Sequence, residues 1–185
     1  MGLLPCPAPR WRVTGHNTTV IKVRPASESD GADLARIDLA TWTSATSPAP
    51  PPADARLYLF FDERTAPGDI LTAEADGVVA GYVKLRRPTP LPSHAHVLEI
   101  GGLAVDPARQ HEGVGRQLVE AAVRESSSRK ARKLALRVLE SNTVARRLYD
   151  RCGFVIEGVL RAEFLLDGRY VDDVLMARHL LAPGP

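Results

Sequence analysis

Apolar and polar residues alternate along Thr19-Val20-Ile21-Lys22-Val23-Arg24, which predicts a first strand. Ser27-Glu28-Ser29-Asp30 then has the spacing of a capping box, in which each side chain satisfies the other's free backbone N–H. The helix it opens carries Leu34, Ile37 and Thr41-Trp42 on one side. Residues 47–53 hold four prolines and predict a stiff, extended connection, followed by a second short helix over Arg56 to Phe61. Apolar runs at 70–75 and 78–85 flank Asp76-Gly77, a strong hairpin turn. Pro88, Pro90 and Pro92 break the chain before a central strand that begins near Val97.

That strand ends at Asp106-Pro107, because proline cannot continue a ladder. Inside it, Gly101-Gly102 predicts a bulge or a close approach of another molecule to the backbone. From Val114 the period changes: Leu118, Val119, Ala122 and Val123 fall on one helical face, and Arg116, Gln117, Glu120 and Arg124 on the other. Ser126-Ser127-Ser128 is expected to loosen the chain, and a strand follows over 134–139. Asn142 through Arg151 reads as a helix stopped by Gly153. Phe154 opens a strand, and Asp167-Gly168 turns a last hairpin that reaches Met176. The order is β-α-(α)-β-β-β-α-β-α-β-β, an α/β pattern in one domain over residues 19–181. Residues 1–18 and 182–185 are expected to be loose tails.

Composition adds exclusions. Twenty-four basic residues against 22 acidic ones give a net charge of +2, which makes no case for nucleic acid. No apolar run approaches the ~20 residues of a membrane span. The first residues lack the charged start and apolar core of a signal peptide, and Cys6 and Cys152 are too few for a disulfide framework. A cytoplasmic location is the default expectation. The same scarcity of Cys and His clusters supports no metal site.

The candidate chemistry sits at Gln110-His111-Glu112-Gly113-Val114-Gly115-Arg116. Two glycines at a helix mouth permit a tight turn and leave the first-turn N–H groups bare. Those groups, with the positive end of the helix dipole, suit a phosphate. A bulky residue at Gly113 or Gly115 is expected to occupy the phosphate position. A nucleotide-binding loop is excluded because no Lys-Ser/Thr follows the glycines, and the three-glycine dinucleotide fingerprint is absent.

Gln-x-x-Gly-x-Gly after a strand resembles the acetyl-CoA pyrophosphate loop of the GCN5-related N-acetyltransferase (GNAT) family. The stretch from Asn142 to Phe154 is similar to that family's second hallmark, Asn-x-x-Ala-x-x-Leu-Tyr-x-x-x-Gly-Phe, at every position. The resemblance covers roughly residues 20–181. It implies a mixed central sheet with helices on both faces, and antiparallel hairpins around a splayed parallel strand pair. Acetyl-CoA would be the acyl donor. Leu103 and Val105 would give backbone partners to its pantetheine arm, residues Gln110, His111, Glu112, Gly113, Val114, Gly115 and Arg116 would hold the pyrophosphate, and Asn142 would bond the pantetheine. Tyr149 would protonate the departing thiolate, and Glu99 is either a water-linked general base or a strand residue with a salt-bridge partner.

The implied activity is acetyl transfer to a primary amine, of a small molecule or of a protein N-terminus, by direct attack in a ternary complex. The alternative is a catalytically silent acyl-CoA-binding sensor or docking module. Asp62, Glu63, Glu163, Asp172 and Asp173 are acids that favour a cationic amine. His94, His96 and His111 are given no catalytic role, and the basic cluster Arg129, Lys130, Arg132 and Lys133 reads as solvated surface. Relatives pair through sheet edges or last strands, which makes a homodimer one expectation.

Overall fold

A computed structural model describes residues 20–63 and 65–180; the expected tails lie outside them, as does Cys6. Seven strands form one sheet: β1 (Ile21–Pro25), β2 (Ile70–Ala75), β3 (Val78–Arg86), β4 (Val97–Val105), β5 (Lys133–Leu139), β6 (Val155–Leu166) and β7 (Arg169–His179). Their order across the sheet is β1-β2-β3-β4-β5-β7-β6. Every neighbouring pair is antiparallel except β4 and β5.

Helix α1 (Gly31–Thr41) covers one face, where Leu34 and Ile37 pack with Phe60, Ile70, Tyr82 and Ala104. Helix α2 (Val114–Ser128) lies on the other face, its Leu118, Val119 and Ala122 against Val83, Leu85 and Leu134. Helix α3 (Thr143–Arg151) joins it there through Ala145, Leu148 and Tyr149. The helices-on-both-faces expectation therefore holds, and alternation along β3 explains it. Val83 and Leu85 point to one layer and Tyr82 to the other.

Two local expectations are corrected. Between Arg56 and Phe61 there is no second helix, only a 3-10 turn at Ala55–Leu57. The Asp54 carboxylate accepts from Arg56 N at 3.0 Å and closes that turn. Beyond it burial alternates, with Leu57 and Leu59 exposed and Phe60 buried, so the segment is extended. The serine run does not loosen the chain either: α2 continues through Ser128. Ser127 Oγ donates to Val123 O at 3.0 Å and Ser128 Oγ to Glu125 O at 2.8 Å, so these hydroxyls fold back onto the helix's own carbonyls. Burial of Ser126 and the neighbouring Val123 holds the last turn down.

The capping box is present. Ser27 N donates to Asp30 Oδ2 at 2.8 Å, and Arg24 reaches the same carboxylate at 2.7 and 2.8 Å, tying β1 to the start of α1. The Arg24 hydrogen bonds, with those from Ser27, hold the buried Asp30 carboxyl down at about 2 against an ordinary 3.8. A depressed carboxylate contributes stability that is complete above its unfolded pKa and is lost as pH falls through the folded value. Unfolding in urea should therefore show stability falling between about pH 4 and pH 2. Asp30→Asn should remove roughly 1–2 kcal/mol at neutral pH and flatten that slope. An unchanged slope in the variant would take the effect away from Asp30.

Candidate active site

The parallel ladder between β4 and β5 runs only from Val97↔Lys133 to Ile100↔Leu136. Beyond it β4 continues to Val105 and β5 to Leu139 without pairing to each other. The parting begins at a bulge: Lys84 pairs with Gly102 but Leu85 with Ile100, leaving Gly101 as the extra residue. Asp106 N donates to Ala80 O at 2.8 Å, and peptide groups alternate along a strand, so those of Leu103 and Val105 point into the gap.

A cleft of about 1530 Å³ opens there. At one end are Gln110, His111, Gly113, Val114, Gly115 and Arg116; Glu112 alone among the residues assigned to the loop does not line it. Glu112 is instead 3.5 Å from Arg109, which also reaches Asp76 at 3.4 Å. His111 adopts φ +67°, so the loop turns by left-handed backbone at His111 and again at Gly113, φ +90°. Gly113 is the N-cap of α2 and supplies no side-chain cap. The first-turn N–H groups are therefore left open to the cleft, where the helix dipole favours an anion. Gly115 differs from the expectation. A Cβ there would meet Leu148 Cδ2 at 3.2 Å and Val105 Cγ2 at 3.6 Å, so this glycine permits close packing of α2 rather than clearing the anion position.

Helix α3 carries the second motif from cap to cap. Asn142 is its N-cap, with Oδ1 accepting from Ala145 N at 3.1 Å, which leaves the side-chain amide donors facing the cleft. At the other end Gly153 takes φ +79°; its N–H donates to Asp150 O at 2.9 Å, and Phe154 N donates to Tyr149 O at 3.0 Å. This pair of closing bonds brings the Phe154 ring onto Tyr149, centroids 5.7 Å apart. Tyr149 is 6% exposed and still lines the cleft. Burial pushes its phenol well above the ordinary 10.0, so the hydroxyl stays protonated.

Glu99 lies on the cleft with its carboxylate ion-paired to Arg86 and accepting from Nε at 3.0 Å. The salt-bridge partner of one sequence reading is therefore present, and the carboxylate also lies on the cleft. Of the other acids, Glu163 and Asp173 line the cleft but are engaged by Arg137, at 3.4 and 2.5 Å. Asp172 is spent on Arg161 at 2.5 Å and on Ala162 N at 2.8 Å, outside the cleft. Asp62 and Glu63 do not line it either. In the basic cluster, Arg129 pairs with Glu125 at 2.7 Å and Lys133 with Glu157 at 2.5 Å, away from the cleft. Among the described residues no group of three His, Cys, Asp or Glu could hold a metal. No helix there is long and apolar enough to cross a membrane.

Sequence reasoning missed the far end of the cleft. Tyr82, Lys84 and Arg86 project from β3 on the face that carries α1, and Gly101 and Gly102 leave the facing strand bare. A Cβ at Gly101 would strike the Arg86 side chain at 2.9 Å, so that arginine lies across the glycine. Asp38 of α1 accepts from Tyr58 Oη at 2.6 Å and also from Tyr82 Oη. Lys84 Nζ donates to Thr65 Oγ1 at 2.5 Å, and burial lowers its pKa. The signal was Tyr-x-Lys-x-Arg at period two, three polar groups on one face of an otherwise apolar strand.

The splayed parallel pair, the bare helix N-terminus and the capped α3 meet at one cleft whose α2 end suits an anion. Residues 33–154 match the acetyltransferase (GNAT) family, and the chain belongs to that family. Acetyl-CoA is the family's acyl donor. A phosphinothricin N-acetyltransferase of Alcaligenes faecalis is 34% identical over 113 residues, 60% of this chain and 57% of that one, so the match spans little more than half of that relative. The solved structure of smu.2055 from Streptococcus mutans UA159 superposes with TM-score 0.74 at 26% identity, over 86% of this chain and 99% of that one. A Sinorhizobium meliloti phosphinothricin acetyltransferase in complex with acetyl-CoA shares the fold at 17% identity, TM-score 0.72, over 88% of this chain and 89% of that one.

The two glycines should separate experimentally. Gly113→Val places a β-branched residue at positive φ, at a cost of about 1–3 kcal/mol, with its side chain in open cleft space. Calorimetry should find acetyl-CoA binding weakened more than roughly tenfold, whereas Gly115→Ala, which presses only on a leucine methyl, should bind within roughly threefold of the parent. Equal losses in both variants would contradict the packing role of Gly115.

Proposed function

We propose that this protein is an acetyl-CoA-dependent N-acetyltransferase that acetylates a primary amine, on a small molecule or a protein N-terminus, in a ternary complex. The observation that carries the reading is the position of Tyr149, buried yet lining the same cleft as Leu103 and Val105 of β4 and Leu139 of β5. Acetyl-CoA supplies a thioester carbonyl that a neutral amine can attack, with a thiolate as the leaving group. The peptide groups of Leu103 and Val105 and the amide of Asn142 are the donors and acceptors available to the pantetheine arm. The N–H groups at the start of α2, with Gln110, His111 and Arg116 around them, suit the pyrophosphate.

In this reading the Val105 N–H, which points into the gap, polarises the carbonyl oxygen. Tyr149 Oη gives its proton to the sulfur as the C–S bond breaks, and the second proton released by the acetylated nitrogen restores the phenol through solvent. Glu99 takes the proton of the incoming ammonium through a water. The Arg86 ion pair fixes the direction of that carboxylate. Holding amine and thioester together supplies the rest of the rate enhancement through lost freedom paid in advance by binding. The relatives named as phosphinothricin acetyltransferases support an amine acceptor, and neither fixes which amine.

The melting temperature should rise with the logarithm of acetyl-CoA concentration above Kd, a stabilisation of about 2.7 kcal/mol at a hundredfold excess over Kd, with no rise in ATP. No shift at millimolar acetyl-CoA would end the enzyme reading. With an accepted amine, Tyr149→Phe should lower kcat by roughly 10²-fold while acetyl-CoA affinity holds within about threefold. Glu99→Gln should lower kcat comparably. Saturable acetyl-CoA binding with no turnover of any amine would instead leave a silent acyl-CoA-binding module.

A further inference from the structure

Four carboxylates line the cleft: Asp38, Glu99, Glu163 and Asp173. Three of them are answered by arginine, Glu99 by Arg86 and the other two by Arg137. Asp38 is different. Its partners are the neutral hydroxyls of Tyr58 and Tyr82, one on each oxygen, and among the described residues no cationic side chain forms an ion pair with it. Each carboxylate oxygen keeps a further lone pair, and Asp38 is half-buried rather than bathed in solvent. Lys84 on the same face donates to Thr65 Oγ1 and feels the charge of Asp38 without forming an ion pair with it.

The surroundings are aromatic. Trp42 stands edge-on to Tyr58, ring centroids 6.3 Å apart, and its indole N–H is fixed on Ala49 O at 2.9 Å. Phe60 packs on Tyr82 at 4.7 Å. A carboxylate flanked by such rings matches an organic cation, which gains from both the charge and the ring faces. Across from it, Gly102 leaves the β4 floor open, with Tyr82 Oη 3.9 Å from where a Cβ would stand. Asp38 is thus linked through Tyr82 of β3 to the surroundings of Gly102 in β4, the strand that borders the β4–β5 gap.

We propose that Asp38, framed by Tyr58, Tyr82 and Trp42, is the recognition site for a second, non-reacting ammonium group on the acceptor. The preferred substrate is then a diamine, or another amine that carries a further positive charge. The inference rests on the acetyltransferase reading above and deepens it. An unanswered carboxylate stabilises the protonated form of any amine beside it, which is the wrong state for attack. Asp38 is therefore suited to hold the amine that stays charged. Glu99, its charge already offset by Arg86, is suited to stand beside the amine that must lose its proton.

The test compares straight-chain α,ω-diamines of three to six carbons with n-alkylamines of the same lengths. For at least one length the wild-type protein should show kcat/KM at least tenfold higher with the diamine, beyond the statistical factor of two for its two amines. Asp38→Asn should erase that ratio mainly through a higher KM for the diamine. The alkylamine kcat/KM and the acetyl-CoA KM should stay within twofold. A wild-type ratio near two or below at every length overturns the proposal without any variant. So does an Asp38→Asn that lowers turnover of both amine types equally, which would mark a base or a purely structural role. Acetyl-CoA binding with no turnover of any diamine also overturns it. Failure of the acetyltransferase reading itself looks different: no melting shift with acetyl-CoA.

Discussion

The separation of β4 from β5 after Ile100 and Leu136 is the constraint on which the rest of the site depends. A parallel ladder that continued to Val105 would satisfy its own peptide groups and leave nothing for a ligand. The extra residue at Gly101 shifts the β3–β4 register by one and bends the strand as the ladder ends. Buried strand edges need partners, so a gap inside a seven-stranded sheet is tolerable only where another molecule, or water, completes it. The edge of β5 away from the gap stays fully paired, from Lys133↔His179 to Leu139↔Asp173, and keeps the opening rigid.

Helix α3 is the second element that the gap requires, and its sequence is explained almost residue by residue by how a short helix begins and ends. Nine residues are too few to be stable alone, so both ends are closed by specific bonds. Asn142 closes one end with a single oxygen and keeps its amide hydrogens free. Gly153 closes the other by adopting a conformation that other residues resist, and so delivers Phe154 to Tyr149. The phenol that faces the cleft is thereby fixed by a ring contact and two backbone bonds. A motif that looks like a set of ligand contacts is, in large part, the set of residues that makes this helix possible.

The same physics decides how much could be read in advance. Strand and helix positions followed from hydrophobic period, the hairpins from Asp-Gly pairs, and the anion loop and α3 from glycines and caps, all of them local signals. What escaped was long-range. Asp38, Tyr58 and Tyr82 come from a helix, a proline-flanked connection and a strand, and nothing in their spacing announces that they meet. Glu99 was visible as an acid in an apolar strand, but its arginine partner is set by pairing across β3 and β4. The helix expected at Arg56–Phe61 failed for a related reason. Phe60 is drawn into the α1 layer and Tyr58 onto Asp38, and only extended chain presents both.

The distribution of charge along the cleft follows from the sheet's alternation. One face of β3 must carry apolar residues for α2, which leaves Tyr82, Lys84 and Arg86 on the opposite face, where α1 covers only part of the strand. These groups range from buried Tyr82 through half-buried Lys84 to exposed Arg86, and a polar group that loses water must find a partner or incur a desolvation cost. Arg86 finds Glu99, Lys84 finds Thr65, and Tyr82 finds Asp38. Neutral hydroxyls satisfy the hydrogen-bonding capacity of Asp38 only in part, and Lys84 feels its charge without pairing with it. Retaining a charge of that kind in a cleft, where an apolar residue or one more arginine would be the more stable arrangement, is explicable if the missing countercharge arrives with the substrate.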